Sequence, residues 1–405
     1  MDVIVKYLVH IPFRILISVL LLILGYWTVY YCRPQRAVRY ERYTYSDEEA
    51  HRLSFYPKAQ YAYGMYAWFQ QQPETAATFF RQAVSQNCFF FDAWLRLAET
   101  EAAMGHEERA KDILTFTANV TDQVFRWKWP QMILAQELGM RKLIYRNANY
   151  LLSHNVLQQD VLQLLHTHFD GDASAVVSVL DPAHLSVYLS WLMQWGMTDE
   201  SLFVWPTMTA ASTPEKVIGL RYAHYLLDQK RITSSMAIWK KYTGNDGLTN
   251  PGFESDITGQ GFDWRSWGKE DGTFDVERVN ADAAEGDYAL KITFNGLENI
   301  SFHHIYQIAA VSPKTNYRLT YAWKSAGITS DQGLFVEIYG YDKEGLYRVG
   351  PMITGTHDWQ KDSIVFETPE DCRAIVLRLR RRPSRRFDSK IKGKVWIDDF
   401  RLENQ

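Results

Sequence analysis

The chain has 405 residues, 46% of them apolar and 22% charged, with a formal net charge of −3. That length allows two or three domains. The near-neutral charge excludes a generally basic nucleic-acid binder, and three cysteines are too few for a disulfide framework, so the chain folds on packing alone. The 14 Trp and 24 Tyr suit interfaces, sugar-stacking surfaces and repeat cores alike.

Ile15 to Cys32 is an apolar run without a charge, preceded by Lys6 and Arg14. A bilayer span needs about 20 apolar residues, with roughly 17 as a lower limit. Tyr26, Trp27, Tyr30 and Tyr31 crowd its end as an interfacial belt would. No small residues precede Cys32, which argues against a cleaved signal or a lipoprotein site. The expectation is a single uncleaved transmembrane helix, with 1–42 as anchor and basic flank. Arg33, Arg36, Arg39 and Arg42 follow the run and pull the body toward the cytoplasm. Only 14 residues precede the run, and the expectation is an inner-membrane protein with its body in the periplasm or outside the cell.

Residues 43–242 read as helical. Gly64, Ala76, Phe80 and Ala83 are followed 34 residues later by Ala98, Ala110, Leu114 and Thr117, and Trp94 and Leu97 take large-residue places. This resembles the tetratricopeptide repeat, in which small positions let paired helices approach and large ones fill the seam. The match is good over Pro57–Asp122. A degenerate unit with Ala223, Ser235 and Trp239 occupies Val217–Tyr242, and between them the phase is lost. The resemblance implies an all-α solenoid, either a spacer or a docking surface for a protein partner.

Thr243 to Thr249 is polar and turn-rich, and reads as a linker. Residues 250–405 then alternate apolar and polar over eight runs: 274–279, 288–294, 302–311, 317–325, 334–341, 360–367, 373–380 and 394–402. Short alternating strands broken by Gly, Asn, Asp and Pro predict two packed sheets, an all-β sandwich. Arg373 to Lys394 is strongly basic. Arg380, Arg381, Arg382, Arg385 and Arg386 in it are candidates for an anionic ligand, through charge-assisted hydrogen bonds. Such a stretch could equally pair with the chain's own acids or blunt a strand edge.

The stretch opens on Asn250-Pro251-Gly252-Phe253-Glu254 and closes on Trp396-Ile397-Asp398-Asp399-Phe400-Arg401-Leu402. With Glu285 to Lys291, Tyr317 to Tyr321 and Trp359 between them, these phrases resemble the carbohydrate-binding modules of families 4, 9 and 22. The resemblance covers 250–405 from end to end and implies a jelly roll. It also implies a structural calcium between first and last strands, with Glu254 and Asp398 in the carboxylate positions. Polysaccharide binding needs aromatic platforms. Trp264 and Trp267, in a poorly alternating stretch, and Tyr339, Tyr341 and Tyr347, around a hairpin turn, are the candidates.

No nucleophile elbow, zinc spacing or phosphate loop appears. The leading reading is a multidomain, membrane-anchored, non-catalytic adaptor in bacterial cell-envelope or exopolysaccharide assembly or export. Its helical repeats would dock a protein and its jelly roll a glycan. The alternatives are a pure protein–protein scaffold and a polysaccharide-active enzyme.

Overall fold

The computed structural model describes residues 17–26, 54–211, 215–266, 272–280, 282–387 and 389–405. The apolar run near the start is helical at 17–26. At ~1.5 Å per residue that stretch covers about half of a ~30 Å hydrocarbon layer. No helix among the described residues is long and apolar enough to cross a membrane. This corrects the expected transmembrane helix and the single-pass inner-membrane placement built on it. The rest of Ile15–Cys32 lies outside the described residues.

The chain forms two compact units, one up to Tyr188 and one from Leu189. In the first, helices pair in sequence: α1 (Pro57–Phe69) with α2 (Pro73–Gln86), α3 (Phe91–Ala103) with α4 (Glu107–Val120), and α5 (Phe125–Glu137) with α6 (Arg141–Ser153). The first helices of successive pairs start 34 residues apart, and so do the second helices. The reason is visible in the core. Gly64, Ala76, Phe80 and Ala83 are buried, as are Ala98, Ala110, Leu114 and Thr117. A Cβ at Gly64 would lie 2.5 Å from the Phe80 ring, so only glycine permits that approach.

The third pair keeps this register. Met132, Ile144, Ala148 and Leu151 stand at the equivalent places and all are 0% exposed. The sizes trade across the pair: Gly64 with Phe80, Ala98 with Leu114, Met132 with Ala148. The seam volume is conserved while the residue types are not. The phase expected to be lost after Asp122 therefore continues to Ser153. The helices α7 (Gln158–His168) and α8 (Ala173–Val179) follow, then α9 (Leu185–Gln194), in which the first unit ends and the second begins.

The second unit continues with α10 (Thr198–Ala211), α11 (Lys216–Asp228) and α12 (Ile232–Thr243), then the strands. Ala223 and Ser235 are 0% exposed, and Ser235 Oγ donates to the Ala223 carbonyl at 2.6 Å, so the small residues let α11 and α12 touch. The hairpin rests on the β-region. Gly261 N donates to His224 Nδ1 at 2.8 Å, and Trp239 packs against Phe262 while its Nε1 donates to Thr249 Oγ1.

Two five-stranded antiparallel sheets make the sandwich. One has the order β1 (Arg265–Ser266), β4 (Phe302–Ala310), β9 (Ala374–Arg381), β6 (Phe335–Gly340), β7 (Tyr347–Val349). The other runs β2 (Phe274–Val279), β3 (Ala289–Asn295), β10 (Lys392–Asn404), β5 (Asn316–Ile328), β8 (Gly355–Glu367). Every expected strand is present. The two additions, β1 and β7, are edge strands too short to show a period in sequence. Period two delivers Leu290, Ile292 and Phe294 from β3, Val395 and Ile397 from β10, and Leu377 and Leu379 from β9 into one core.

Candidate glycan-binding face

Strand alternation decides which side chains the first sheet turns outward. Ile305, Val336, Ile338, Leu377 and Leu379 point into the core. Their neighbours point out, and residues directly opposite on adjacent strands share a face. The register then sets Arg265 beside Tyr306, Tyr306 beside Arg378, Arg378 beside Glu337, and Glu337 beside Val349. One row crosses all five strands. The next row is Ile308, Val376, Tyr339 and Tyr347. On the other side Arg380 stands opposite Phe335.

These rows are wired together. Arg378 Nε donates to Glu337 Oε1 at 2.5 Å, and Arg378 Nη2 also pairs with that oxygen. Tyr347 Oη donates to Glu337 Oε2 at 2.9 Å and accepts from Arg382 Nη2 at 2.6 Å. The Arg378 guanidinium lies over the Tyr339 ring at 4.8 Å, and Arg382 lies over Phe335 at 5.4 Å. Burial raises the Tyr339 phenol above its usual range, with Arg378 opposing, so the hydroxyl stays protonated at neutral pH. Glu337 is 2% exposed, and its carboxylate holds the arginine in one pose. The outcome is a half-buried aromatic surface with fixed donors, the composition a sugar face requires.

Of the expected aromatic platforms, Tyr339 and Tyr347 reach this face and Tyr347 is 46% exposed. Tyr341 does not serve there. Its hydroxyl donates to the Leu227 carbonyl, Lys230 Nζ sits over its ring, and burial pushes its phenol to about 12. Trp264 corrects the sequence reading. It is 0% exposed, its Nε1 donates to the Asn250 carbonyl, and its ring packs between Phe253 and Phe400. It seals the first phrase of the sandwich to the last strand and offers no face to a sugar. Trp267 lies outside the described residues.

The five arginines do not make one cluster. Arg380 and Arg382 flank the face, and Arg380 Nη1 donates to Ser301 Oγ and the Phe302 carbonyl. Arg385 is exposed, and Arg386 pairs with Asp331 at 3.2 Å. Arg381 is buried on the opposite side of its strand. It hydrogen-bonds to Gln332 O, Asn299 Oδ1, Ile300 O, Ser330 Oγ and Ser389 O. It is a structural hub, which corrects its assignment to a ligand. Arg265, Tyr306, Phe335, Glu337 and Arg378 were not expected at the site. The alternation Leu377-Arg378-Leu379-Arg380 carried a signal for the arginines, since period two already separates 378, 380 and 382 from 381.

Glu254 and Asp398 come together against Gly252. A Cβ there would lie 3.5 Å from Asp398 Oδ1 and 3.8 Å from Glu254 Oε1. Backbone N–H groups of Asp287 and Tyr288 donate to Glu254, and those of Ala284, Glu285 and Asp399 donate to Asp398. Among the described residues neither carboxylate has a Lys or Arg partner. Burial raises the Asp398 pKa, and the three amides only partly oppose it. Among the described residues no group of three or more His, Cys, Asp and Glu gathers, so backbone oxygens would have to complete a metal shell.

No family model matches the chain, and no curated protein matches it. Solved structures resemble its C-terminal β region. A family 61 carbohydrate-binding module in complex with β-1,4-galactotriose is 20% identical over 40% of this chain and 99% of its own, with a TM-score of 0.28. A family 4 carbohydrate-binding module is 16% identical over 39% of this chain and 99% of its own, with a TM-score of 0.29. A cyclase from Fischerella sp. TAU is 17% identical over 39% of this chain and 95% of its own, with a TM-score of 0.28.

Proposed function

We propose that this chain is a non-catalytic glycan-recognition protein whose outer β1-β4-β9-β6-β7 face binds a polysaccharide. Its helical pairs would hold a protein partner, an adaptor arrangement suited to polysaccharide assembly or export at a cell envelope. The observation that carries the reading is the row Arg265–Tyr306–Arg378–Glu337, with Tyr339 and Tyr347 beside it. Aromatic rings receive the C–H faces of pyranoses, and the fixed guanidinium and carboxylate orient hydroxyls. A glycosidase needs two carboxyls about 5–10 Å apart. These rows carry one, Glu337, and Arg378 already holds it.

The test is a glycan array followed by calorimetric titration of the full chain. At least one oligosaccharide should bind, and the Tyr339→Ala/Tyr347→Ala double variant should lose about tenfold or more in affinity, since stacked aromatics are worth ~0.5–1.5 kcal/mol each beyond their area. Silence of the unmodified protein across neutral and acidic glycans sinks the reading and leaves the protein scaffold.

We also propose a structural calcium at Glu254 and Asp398, supported by two converging carboxylates that have no cationic side-chain partner among the described residues. Calcium at about 100 times its Kd should stabilise the protein by about 2.7 kcal/mol, a rise in Tm on the order of 5–10 °C. With a chelator, the contribution of Asp398 runs the other way. Its folded pKa is raised, so its stabilisation is full at low pH and is lost as pH rises through that value. A melting temperature indifferent to calcium at pH 7, in the parent and in Asp398→Asn alike, removes the metal from the account.

A further inference from the structure

On the glycan-binding face, most arginines have found a partner within the protein. Arg378 has Glu337, Arg380 has Ser301 and the Phe302 carbonyl, and Arg382 has Tyr347. Arg265 has none. It is 9% exposed, its Nη1 is buried without a hydrogen-bond partner, and among the described residues it makes no hydrogen bond or ion pair. Its guanidinium lies 5.5 Å from the centre of the Tyr306 ring. A buried guanidinium is strongly unfavourable unless acceptors surround it, as five do around Arg381. Among the described residues none surrounds Arg265, which leaves that role to an anion from outside the fold. The strand that presents it, β1, is two residues long and pairs with β4 alone. That pairing seats Arg265 at the end of the row, beside an aromatic platform.

We propose that the ligand is an acidic polysaccharide of the uronate class, whose carboxylate forms a charge-assisted pair with Arg265. This rests on the glycan reading above and names the chemistry of its ligand. The guanidinium fork matches a planar carboxylate two hydrogen bonds at a time. In a uronate the carboxylate is attached directly to the pyranose ring. A ring stacked on Tyr306 therefore delivers its acid to the neighbouring guanidinium. The wider face agrees in sign: Arg265, Arg378, Arg380 and Arg382 stand against Glu337 alone in these rows, so an anion is drawn in and a cation repelled.

Calorimetric titration of the full chain compares an oligogalacturonate, its methyl ester, a neutral galactan oligomer and a sulfated galactan oligomer of equal length. Esterification removes the charge and keeps the ring. The free acid should bind about tenfold or more tighter than its ester. Arg265→Met should bring the acid down to the level of the ester, and Arg265→Lys should recover part of the loss, because it keeps the charge without the fork. Arg385→Ala/Arg386→Ala, on the exposed loop, should change neither. Equal binding of acid and ester overturns the inference while glycan recognition stands, and so does an Arg265→Met variant that still prefers the acid. Tighter binding of the sulfated oligomer overturns the carboxylate class. Failure of all four ligands beside a positive glycan array overturns the uronate class alone, and failure of all four beside a silent array removes the glycan reading itself. The comparison of acid with ester uses the unmodified protein, so it decides even where Arg265→Met folds poorly.

Discussion

Replacing Arg381 by methionine should cost the sandwich about 3–5 kcal/mol, the range for removing one partner from a buried, hydrogen-bonded charge. Its nitrogens reach the loops at 299–300, 330–332 and 389, so one side chain ties three connections to β9. Methionine fills much of the volume but leaves those acceptors buried and unpaired, and each costs about 1–3 kcal/mol. Burial already pulls the guanidinium pKa below its usual value, but it remains charged, so the carbonyls around it act as its counter-ion. Near-ultraviolet circular dichroism of the full chain on heating should show the β-region melting on the order of 10 °C lower. Were Arg381 a ligand arginine, the variant would instead melt normally and lose affinity for anions. That result would return it to the binding site.

Much of the fold was legible because both units rest on strict periods. The 34-residue spacing fixed the first two helical pairs through glycine, alanine and phenylalanine. It faded at the third only because residue sizes were exchanged across the seam. Met132 and Ala148 fill the space that Gly64 and Phe80 fill, and a scan for residue types cannot see a conserved sum of volumes. In the sandwich, period two located eight strands to within a few residues, while β1 and β7 escaped because two or three residues carry no period. For the apolar run near the start, hydropathy measured composition, and no helix among the described residues has the length and apolarity that a span needs.

The candidate face was legible only in part. Tyr339 and Tyr347, expected from their hairpin, and Arg380 and Arg382, expected from their charge, stand on or beside the candidate face. Trp264 was misread because a tryptophan in an irregular, glycine-rich stretch looks exposed. In fact that irregularity lets the loop fold inward and bury the ring against Phe253 and Phe400. Arg265, Tyr306 and Glu337 come from strands distant in sequence. Only the register of β1, β4, β9 and β6 brings them into one row, and a single sequence does not contain the register.

That row makes a second large effect testable. Glu337→Leu should destabilise the protein by about 2–3 kcal/mol. It strips the counter-charge from Arg378 and a hydrogen-bond acceptor from Tyr347, at a place where the carboxylate is 2% exposed. Arg378→Leu should cost a similar amount by stranding Glu337. The Glu337→Leu/Arg378→Leu double variant should cost about 1 kcal/mol or less, because two apolar side chains of matched size leave no buried charge unpaired. Urea titration of the four proteins measures the coupling. Additive losses would mean that the pair acts as two independent surface charges, and the case for a preorganised face would fall with it. With the coupling present, the double variant becomes the sharper functional probe: it keeps the fold but lacks the polar groups that orient sugar hydroxyls. Its glycan affinity should therefore fall while its stability changes little.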